Sequence, residues 1–297
     1  MKRRILNIAV FRKETLYQKM RALIIYLVIS AVFIGCTPIL SIDASTQSVY
    51  HFSDTDKNIS LLDISETFGT YDGSFVLYDN NLDSWKIYDL EEATKRIPPE
   101  STYKIYDALL GLESGIITPE HSSMTWNGDA FPFPSWEADQ DLNSAMQNSV
   151  NWYFQAIDSQ LGINRVQEFL NKIEYGNQTT SSNLDLYWSD FSLKISPLEQ
   201  VTLLKKFNTN EFHLNSQNVF SVKNAIKIAS TPNGNFYGKT GTGRVNGQDI
   251  NGWFIGYVET SDNSYYFATN IQSDSNATGK KAFEITSDIL KKLHIWN

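Results

Sequence analysis

The chain has 297 residues, 41% hydrophobic and 13% aromatic, enough to bury the core of one domain of about 200 residues with appendages. Its net charge of −8 is uneven: residues 1–21 carry seven basic side chains (Lys2, Arg3, Arg4, Arg12, Lys13, Lys19, Arg21) against one acid, Glu14, so the remainder is near −14 and argues against nucleic acid as a partner. The single cysteine, Cys36, falls in an apolar run, which excludes a disulfide or a thiol nucleophile from the remainder, and His51, His121, His213 and His294 are scattered without a His-Glu-x-x-His spacing, which argues against a metal site.

From Ala22 to Ile42 there are 21 residues without a charge, long enough as a helix to cross a bilayer. The basic flank precedes them, which predicts a cytoplasmic N-terminus and an extracellular remainder. The rival readings are a cleaved signal peptide and a lipoprotein site at Phe33-Ile34-Gly35-Cys36. The basic lead is long for a signal and the apolar run continues past Cys36, so a retained anchor in the cell membrane is the expectation. Residues 43–69 are polar with little periodicity and read as a linker. The expected organisation is thus a basic cytoplasmic segment at 1–21, a membrane helix at 22–42, a linker at 43–69 and a folded domain at 70–297.

Within that domain, Ser74 to Tyr78 and Trp85 to Tyr88 flank Asp79-Asn80-Asn81 and predict a β-hairpin. Ser101-Thr102-Tyr103-Lys104 follows Pro98-Pro99 and opens the apolar run Ile105 to Leu112. After a loop rich in aromatics and proline, Trp126 to Trp136, residues Leu142 to Leu161 read as one helical stretch stopped by Gly162. A short helix at about 163–173 leads to Tyr175-Gly176-Asn177, a turn by composition. Ser196-Pro197-Leu198-Glu199 is a capping box with proline at the first helical position, predicting a helix to about Phe207. The last third predicts strands at Phe236–Thr242, Gly252–Glu259 and Tyr265–Ile271, then a helix at about 278–293. A hairpin first, helices between and strands last suggest an α+β fold with an antiparallel sheet completed by both ends of the domain.

On a helix, positions i and i+3 share a face, so the Ser101 hydroxyl and the Lys104 amine can meet, and a helix start favours the negative charge of an attacked acyl oxygen. Ser101 reads as a nucleophile activated by Lys104. The spacing alone is weak, because 30 Ser and 18 Lys should produce it about twice by chance. Its companions carry the argument. Lys239-Thr240-Gly241 lies on a predicted strand, where a lysine can hold a carboxylate and a glycine lets an acyl group approach the backbone. The order Ser-x-x-Lys, Ser149-x-Asn151, Lys-Thr-Gly is far rarer than any one part and points to penicilloyl transfer.

Here the sequence resembles the serine enzymes and receptors that react with penicillin, and among them the class D β-lactamases. The likeness covers residues 70–297 and is carried by Ser101 to Lys104, Ser149-Val150-Asn151-Trp152-Tyr153, Tyr175-Gly176-Asn177, Leu193 to Pro197, Lys239 to Gly243 and Gly252 to Gly256. It is strongest to the extracellular penicillin-sensor domain of the β-lactam signal transducers of staphylococci and bacilli, which share Asn-Gly-Trp-Phe and Tyr-Tyr-Phe-Ala-Thr with residues 251–254 and 265–269.

The resemblance implies a class D β-lactamase-like fold, with the sheet flanked by helices and a mainly helical subdomain. It implies acylation of Ser101 by β-lactam antibiotics, with Lys104, carboxylated on its amine by carbon dioxide, taking the serine proton and Ser149 passing a proton to the departing nitrogen. No other cofactor is implied. The N–H groups of Ser101 and Thr242 would form the oxyanion hole, Lys239, Thr240 and Gly241 would hold the drug carboxylate, and Trp188 matches a tryptophan that hydrogen-bonds the lysine carbamate. The arginine that often binds this carboxylate is absent; Lys280 or Lys281 is the substitute to consider.

One departure concerns Asn151, since hydrolytic class D enzymes place an apolar residue there. An asparagine carbonyl accepts a hydrogen bond from an ammonium, which would keep Lys104 from serving as the base for hydrolysis. The expectation is a receptor whose acyl-serine persists. The full transducers also carry a zinc protease, which this sequence does not, so a separate protease or transducer chain is the expected partner. A class D hydrolase and a transpeptidase-like remnant remain the alternatives. Read alone, Ser149 and Asn151 are ordinary helix residues, Trp188 and Trp253 core aromatics, and Lys194 a surface lysine.

Overall fold

The computed structural model describes residues 58–297. The expected basic segment and membrane helix lie outside them, and among the described residues no helix is long and apolar enough to cross a membrane.

The described residues build one seven-stranded sheet, ordered β1-β3-β2-β7-β6-β5-β4. Its strands are β1 (Ile59–Leu61), β2 (Asp72–Asp79), β3 (Ser84–Tyr88), β4 (Lys227–Thr231), β5 (Gly234–Val245), β6 (Gln248–Glu259) and β7 (Ser264–Gln272). Joining β2 to β7 brings the two ends of the domain together in one sheet, with Val76 opposite Ala268. The expectation of a wholly antiparallel sheet fails at one edge, where β1 pairs parallel to β3. The stretch read as linker therefore contributes β1 and a short helix, α1 (Ser65–Phe68), whose Phe68 is buried. Its polarity reflects an edge position, with Ser60 and Leu61 exposed. The β5–β6 hairpin turns at Asn246-Gly247, both with positive φ, as a two-residue hairpin loop demands.

Successive side chains of a strand point to opposite faces, and β6 shows this directly. Trp253, Ile255 and Tyr257 enter a core shared with the helical subdomain, whereas Phe254 and Val258 enter a second core. That second core is closed by the last helix, Gly279–Lys292, through Ala282, Ile285 and Ile289. With both faces covered, the strand is apolar almost throughout.

Between them lie α2 (Leu90–Thr94), a 3₁₀ turn (Glu100–Tyr103), α3 (Lys104–Glu113), α4 (Leu142–Gln147), α5 (Asn151–Leu161), α6 (Ile163–Ile173), α7 (Pro197–Asn208) and α8 (Ser216–Ala225). The final helix is α9. Every residue of α3 from Lys104 to Leu112 is buried, so this helix runs through the subdomain as its axis. The α7 capping box forms as expected, Ser196 and Glu199 exchanging side-chain to backbone hydrogen bonds. Such a cap contributes about 1 kcal/mol.

The single helix expected over 142–161 is two. Its interruption falls at Asn148 to Val150, with Ser149 at φ 55° and Val150 extended. No helix passes through a left-handed residue, and the break turns the Ser149 hydroxyl toward two interior lysines, Lys104 and Lys239.

Candidate active site

Ser101 belongs to the 3₁₀ turn and Lys104 opens α3. In a 3₁₀ turn side chains at i and i+3 eclipse, closer than on an α-helix, and Lys104 Nζ donates to Ser101 Oγ at 2.7 Å.

The turn is held from several sides. Glu100, immediately before Ser101, has φ 53°, and its N–H donates to the Trp188 carbonyl at 3.0 Å. The Pro98 carbonyl accepts from Trp253 Nε1 at 2.8 Å and from Asn251 Nδ2 at 3.1 Å. On β5, a methyl placed on Gly241 would stand 3.0 Å from Glu100 Cβ and 3.2 Å from the Ser101 nitrogen. Glycine is what lets the strand lie this close to the turn. The β4–β5 ladder closes with Gly238 N–H donating to Ile226 O at 2.9 Å, so the outer edge of β5 from Lys239 onward faces Ser101. An open edge of this kind can pair with an extended acyl group.

Lys104 is wholly buried. Besides Ser101, its amine donates to Asn151 Oδ1 at 2.6 Å, to the Ser149 carbonyl at 3.2 Å and to Ser149 Oγ at 3.4 Å. The Phe154 ring lies 5.7 Å from it. Burial above all, then the Lys239 charge, pulls the Lys104 pKa well below the usual lysine range, while Asp107 and Glu100 oppose the shift. A neutral amine keeps a lone pair for the Ser101 proton and two N–H groups for Asn151 and Ser149; an ammonium can give all three. The acceptors Asn151 Oδ1 and Ser149 O suit an N–H donor. A carboxyl group on this nitrogen would set its oxygens against them, so the surroundings fit the free amine or the ammonium better than the carbamate.

Ser149 joins the two lysines, since its Oγ also accepts from Lys239 Nζ at 2.9 Å. Lys239 is 5% exposed, also donates to Thr240 O at 2.9 Å, and is pulled down to about 7 by burial. Ser101, Lys104, Ser149 and Lys239 thus form one hydrogen-bonded chain with Asn151 at its side. Such a chain can move a proton from the serine to a leaving group at the far end. A cleft of about 350 Å³ opens along Gly238, Lys239 and Thr240, bounded by Met146 and Ile226.

Three other sequence candidates make contacts of their own. Thr242 is exposed on β5 and its Oγ1 accepts from Gly279 N–H at 2.8 Å, which anchors the start of α9. Trp188 stacks on Tyr103 with centroids 6.2 Å apart, and the hydrogen bonds of the Lys104 amine go to Ser101, Ser149 and Asn151 rather than to it. Tyr175-Gly176-Asn177 is a turn behind the site, where Asn177 grips the backbone of Ser192 and Lys194. Of the two lysines considered for the drug carboxylate, Lys281 pairs with Glu284 on its own helix at 3.2 Å.

Two residues of the site were missed by sequence reasoning. Glu100 is 6% exposed and raised to about 8, chiefly by burial, with Asn251 Nδ2 donating to its Oε1 at 3.2 Å. Asn251 in turn accepts from Asn270 Nδ2 at 2.9 Å. Nothing local marks Glu100; Asn251 was visible only as part of the Asn-Gly-Trp-Phe motif.

Residues 69–291 match the family described as the penicillin binding protein transpeptidase domain. The chain is 44% identical over 298 residues to the regulatory protein BlaR1 of Bacillus licheniformis, covering 99% of this chain and 49% of that protein. It spans about half the length of the BlaR1 and MecR1 proteins it matches. Among solved structures, the C-terminal domain of the Bacillus licheniformis BlaR penicillin-receptor superposes with a TM-score of 0.79 at 45% identity, covering 83% of this chain and 100% of that one. The class D β-lactamase BAT-2 superposes with a TM-score of 0.75 at 36% identity, covering 80% and 97%.

Proposed function

Because the chain belongs to the penicillin binding protein transpeptidase-domain family, we propose that it is a β-lactam receptor whose Ser101 is acylated by penicillins and cephalosporins and then releases the acyl group very slowly. The observation that carries this reading is the 2.6 Å hydrogen bond from Lys104 Nζ to Asn151 Oδ1.

Acylation begins with Ser101 Oγ attacking the lactam carbonyl while its proton passes to the neutral Lys104 amine. The C–N bond of the ring then breaks, and Ser149, between the two lysines, relays a proton to the departing nitrogen. Backbone N–H groups of Ser101 and Thr242 take the developing oxyanion, and Lys239 with Thr240 and Gly241 holds the drug carboxylate. Hydrolysis of the ester would need a second base to activate water. Relay of the serine proton to the departing nitrogen returns Lys104 to the neutral amine; a proton from solvent then recharges it, and Asn151 and the Ser149 carbonyl stabilise that ammonium, which cannot serve, so the acyl-serine outlives the encounter.

A long-lived adduct suits a sensor rather than a degradative enzyme. With the resemblance to the BlaR penicillin-receptor domain, it supports a role in reporting β-lactams from outside the cell membrane, residues 22–42 acting as the anchor and a separate protease or transducer chain as the partner. A class D hydrolase is the second reading. It is favoured by the complete burial of Lys104, which keeps an amine neutral and so available as a base.

Incubating the purified full chain with a chromogenic cephalosporin, and following colour and intact mass together, separates the two. The receptor gives a burst near one equivalent and a stable adduct on Ser101. Sustained turnover rejects it.

A further inference from the structure

Glu100 takes no part in the acylation steps, yet its side chain lies along the strand that carries half of the proposed oxyanion hole. It stands immediately before Ser101, is 6% exposed, and adopts φ 53°, a left-handed conformation that strains any residue with a Cβ. Its surroundings must therefore hold it there. Its N–H is fixed by the Trp188 carbonyl at 3.0 Å, and its side chain by the β5–β6 hairpin.

Two glycines make room for that side chain. A methyl on Gly241 would stand 3.0 Å from Glu100 Cβ, and one on Gly243 would fall on Glu100 Oε1 and stand 2.8 Å from the carboxyl carbon. Neither glycine has a positive φ, so both serve for space rather than for conformation. Alternate residues of a strand face the same side, so the Glu100 side chain runs along β5 from Gly241 to Gly243, past Thr242. Gly243 is paired with Asn251 on β6, and Asn251 Nδ2 donates to Glu100 Oε1 at 3.2 Å. The carboxyl thus stands where a cross-strand side-chain partner of Asn251 would be. Asn251 is itself fixed, donating to Pro98 O at 3.1 Å and accepting from Asn270 Nδ2 at 2.9 Å. Burial raises Glu100 to about 8, with Asn251 and Lys104 opposing, so near neutral pH it sets little negative charge beside the hole.

We propose that Glu100 is a positioning residue for the reaction at Ser101: its side chain, lying in the space left by Gly241 and Gly243 and tied to Asn251, straps the nucleophile's turn to β5 and so fixes the spacing between the Ser101 and Thr242 N–H groups. This rests on the oxyanion hole assigned under the acylation reading, and not on how long the adduct lasts.

The test measures two quantities in the full chain. One is the affinity for phenylboronic acid, whose tetrahedral adduct on Ser101 places an oxygen in the hole; the other is the rate of acylation at saturating chromogenic cephalosporin. Glu100→Ala is expected to lower both by about ten- to a hundredfold, the scale of a misplaced oxyanion donor. Glu100→Gln, whose carbonyl oxygen still accepts from Asn251, restores most of that loss. Gly243→Ala causes a similar loss from the opposite side by displacing the carboxyl. In the double variant the new methyl enters space that Glu100→Ala has emptied, so it adds no further loss. Independent loosening of the packing would instead make the two losses multiply. Multiplied losses, or a Gly243→Ala variant that matches the unsubstituted chain in both quantities, overturn the proposal, and the second comparison decides it even if Glu100→Ala does not fold. Turnover by the unsubstituted chain would reject the receptor reading while leaving the boronate affinities to decide this one.

Discussion

Asn151 Oδ1 accepts from Lys104 Nζ at 2.6 Å, the shortest of the four hydrogen bonds that the buried amine donates. A bond from an ammonium contributes about 1.5–3 kcal/mol, and an apolar side chain in its place would contribute nothing and penalise the charge. Asn151→Val is therefore expected to free Lys104 as a base and shorten the acyl-enzyme lifetime roughly ten- to a hundredfold. Decay of the adduct mass after removal of excess drug measures it. A lifetime equal to that of the unsubstituted chain would remove Asn151 from the mechanism.

Lys239 is held near 7 by burial, well below a free lysine, and this has a sign for both stability and binding. Between about pH 7 and 10 the unfolded chain binds a proton that the folded chain does not, so this group makes the fold more stable as pH rises through that window. Its cationic form is what holds a carboxylate, so acylation by an anionic β-lactam should weaken as pH rises past about 7. Lys239→Arg keeps the charge at every accessible pH and should flatten that descending limb, even if the rate falls. A limb of unchanged shape in the arginine variant would assign the descent to another group.

Gly241 lies against the backbone of the nucleophile's turn, with a notional Cβ 3.1 Å from the Pro99 carbonyl and 3.2 Å from the Ser101 nitrogen. In Gly241→Ala one side must yield by a few tenths of an ångström, and Ser101 is displaced relative to the strand edge. Misplacement of this kind costs on the order of tenfold to a hundredfold in rate. The expected signature is slower acylation with a melting temperature lowered by only a few degrees. Unchanged acylation would mean that the turn and the strand are not held in register by this contact.

The sequence reading located the strands and helices with strong periodicity or caps, such as β2, β6, β7 and α7, within a few residues. It missed β1 and β4 because each is short, exposed and stabilised by its neighbour rather than by its own pattern. It joined α4 to α5 because a left-handed serine leaves no mark in composition, whereas a glycine would have. The charged and hydroxyl residues of the site were legible as ordered motifs. Glu100, Asp107 and Asp158 were not, because polar residues in a long chain read as surface until the packing shows them inside.

Glu100 gives that hidden class its clearest measurable consequence. Burial raises it to about 8, Asn251 and the Lys104 charge opposing, so its folded value lies above its unfolded one. Such a group stabilises the fold fully below the unfolded value, near 4.5, and the contribution is lost as pH rises through about 8. The melting temperature should therefore decline across that interval, with a total effect on the order of a few kcal/mol. Glu100→Gln removes the ionisation while keeping a carbonyl oxygen for the Asn251 amide, so it should flatten this slope and raise stability most at pH 8. The turn carrying Ser101 would then be firmest in the variant at alkaline pH, with acylation retained there. Melting curves of both proteins from about pH 5 to 9 decide the matter: parallel curves would place the titration elsewhere and leave Glu100 a passive buried acid.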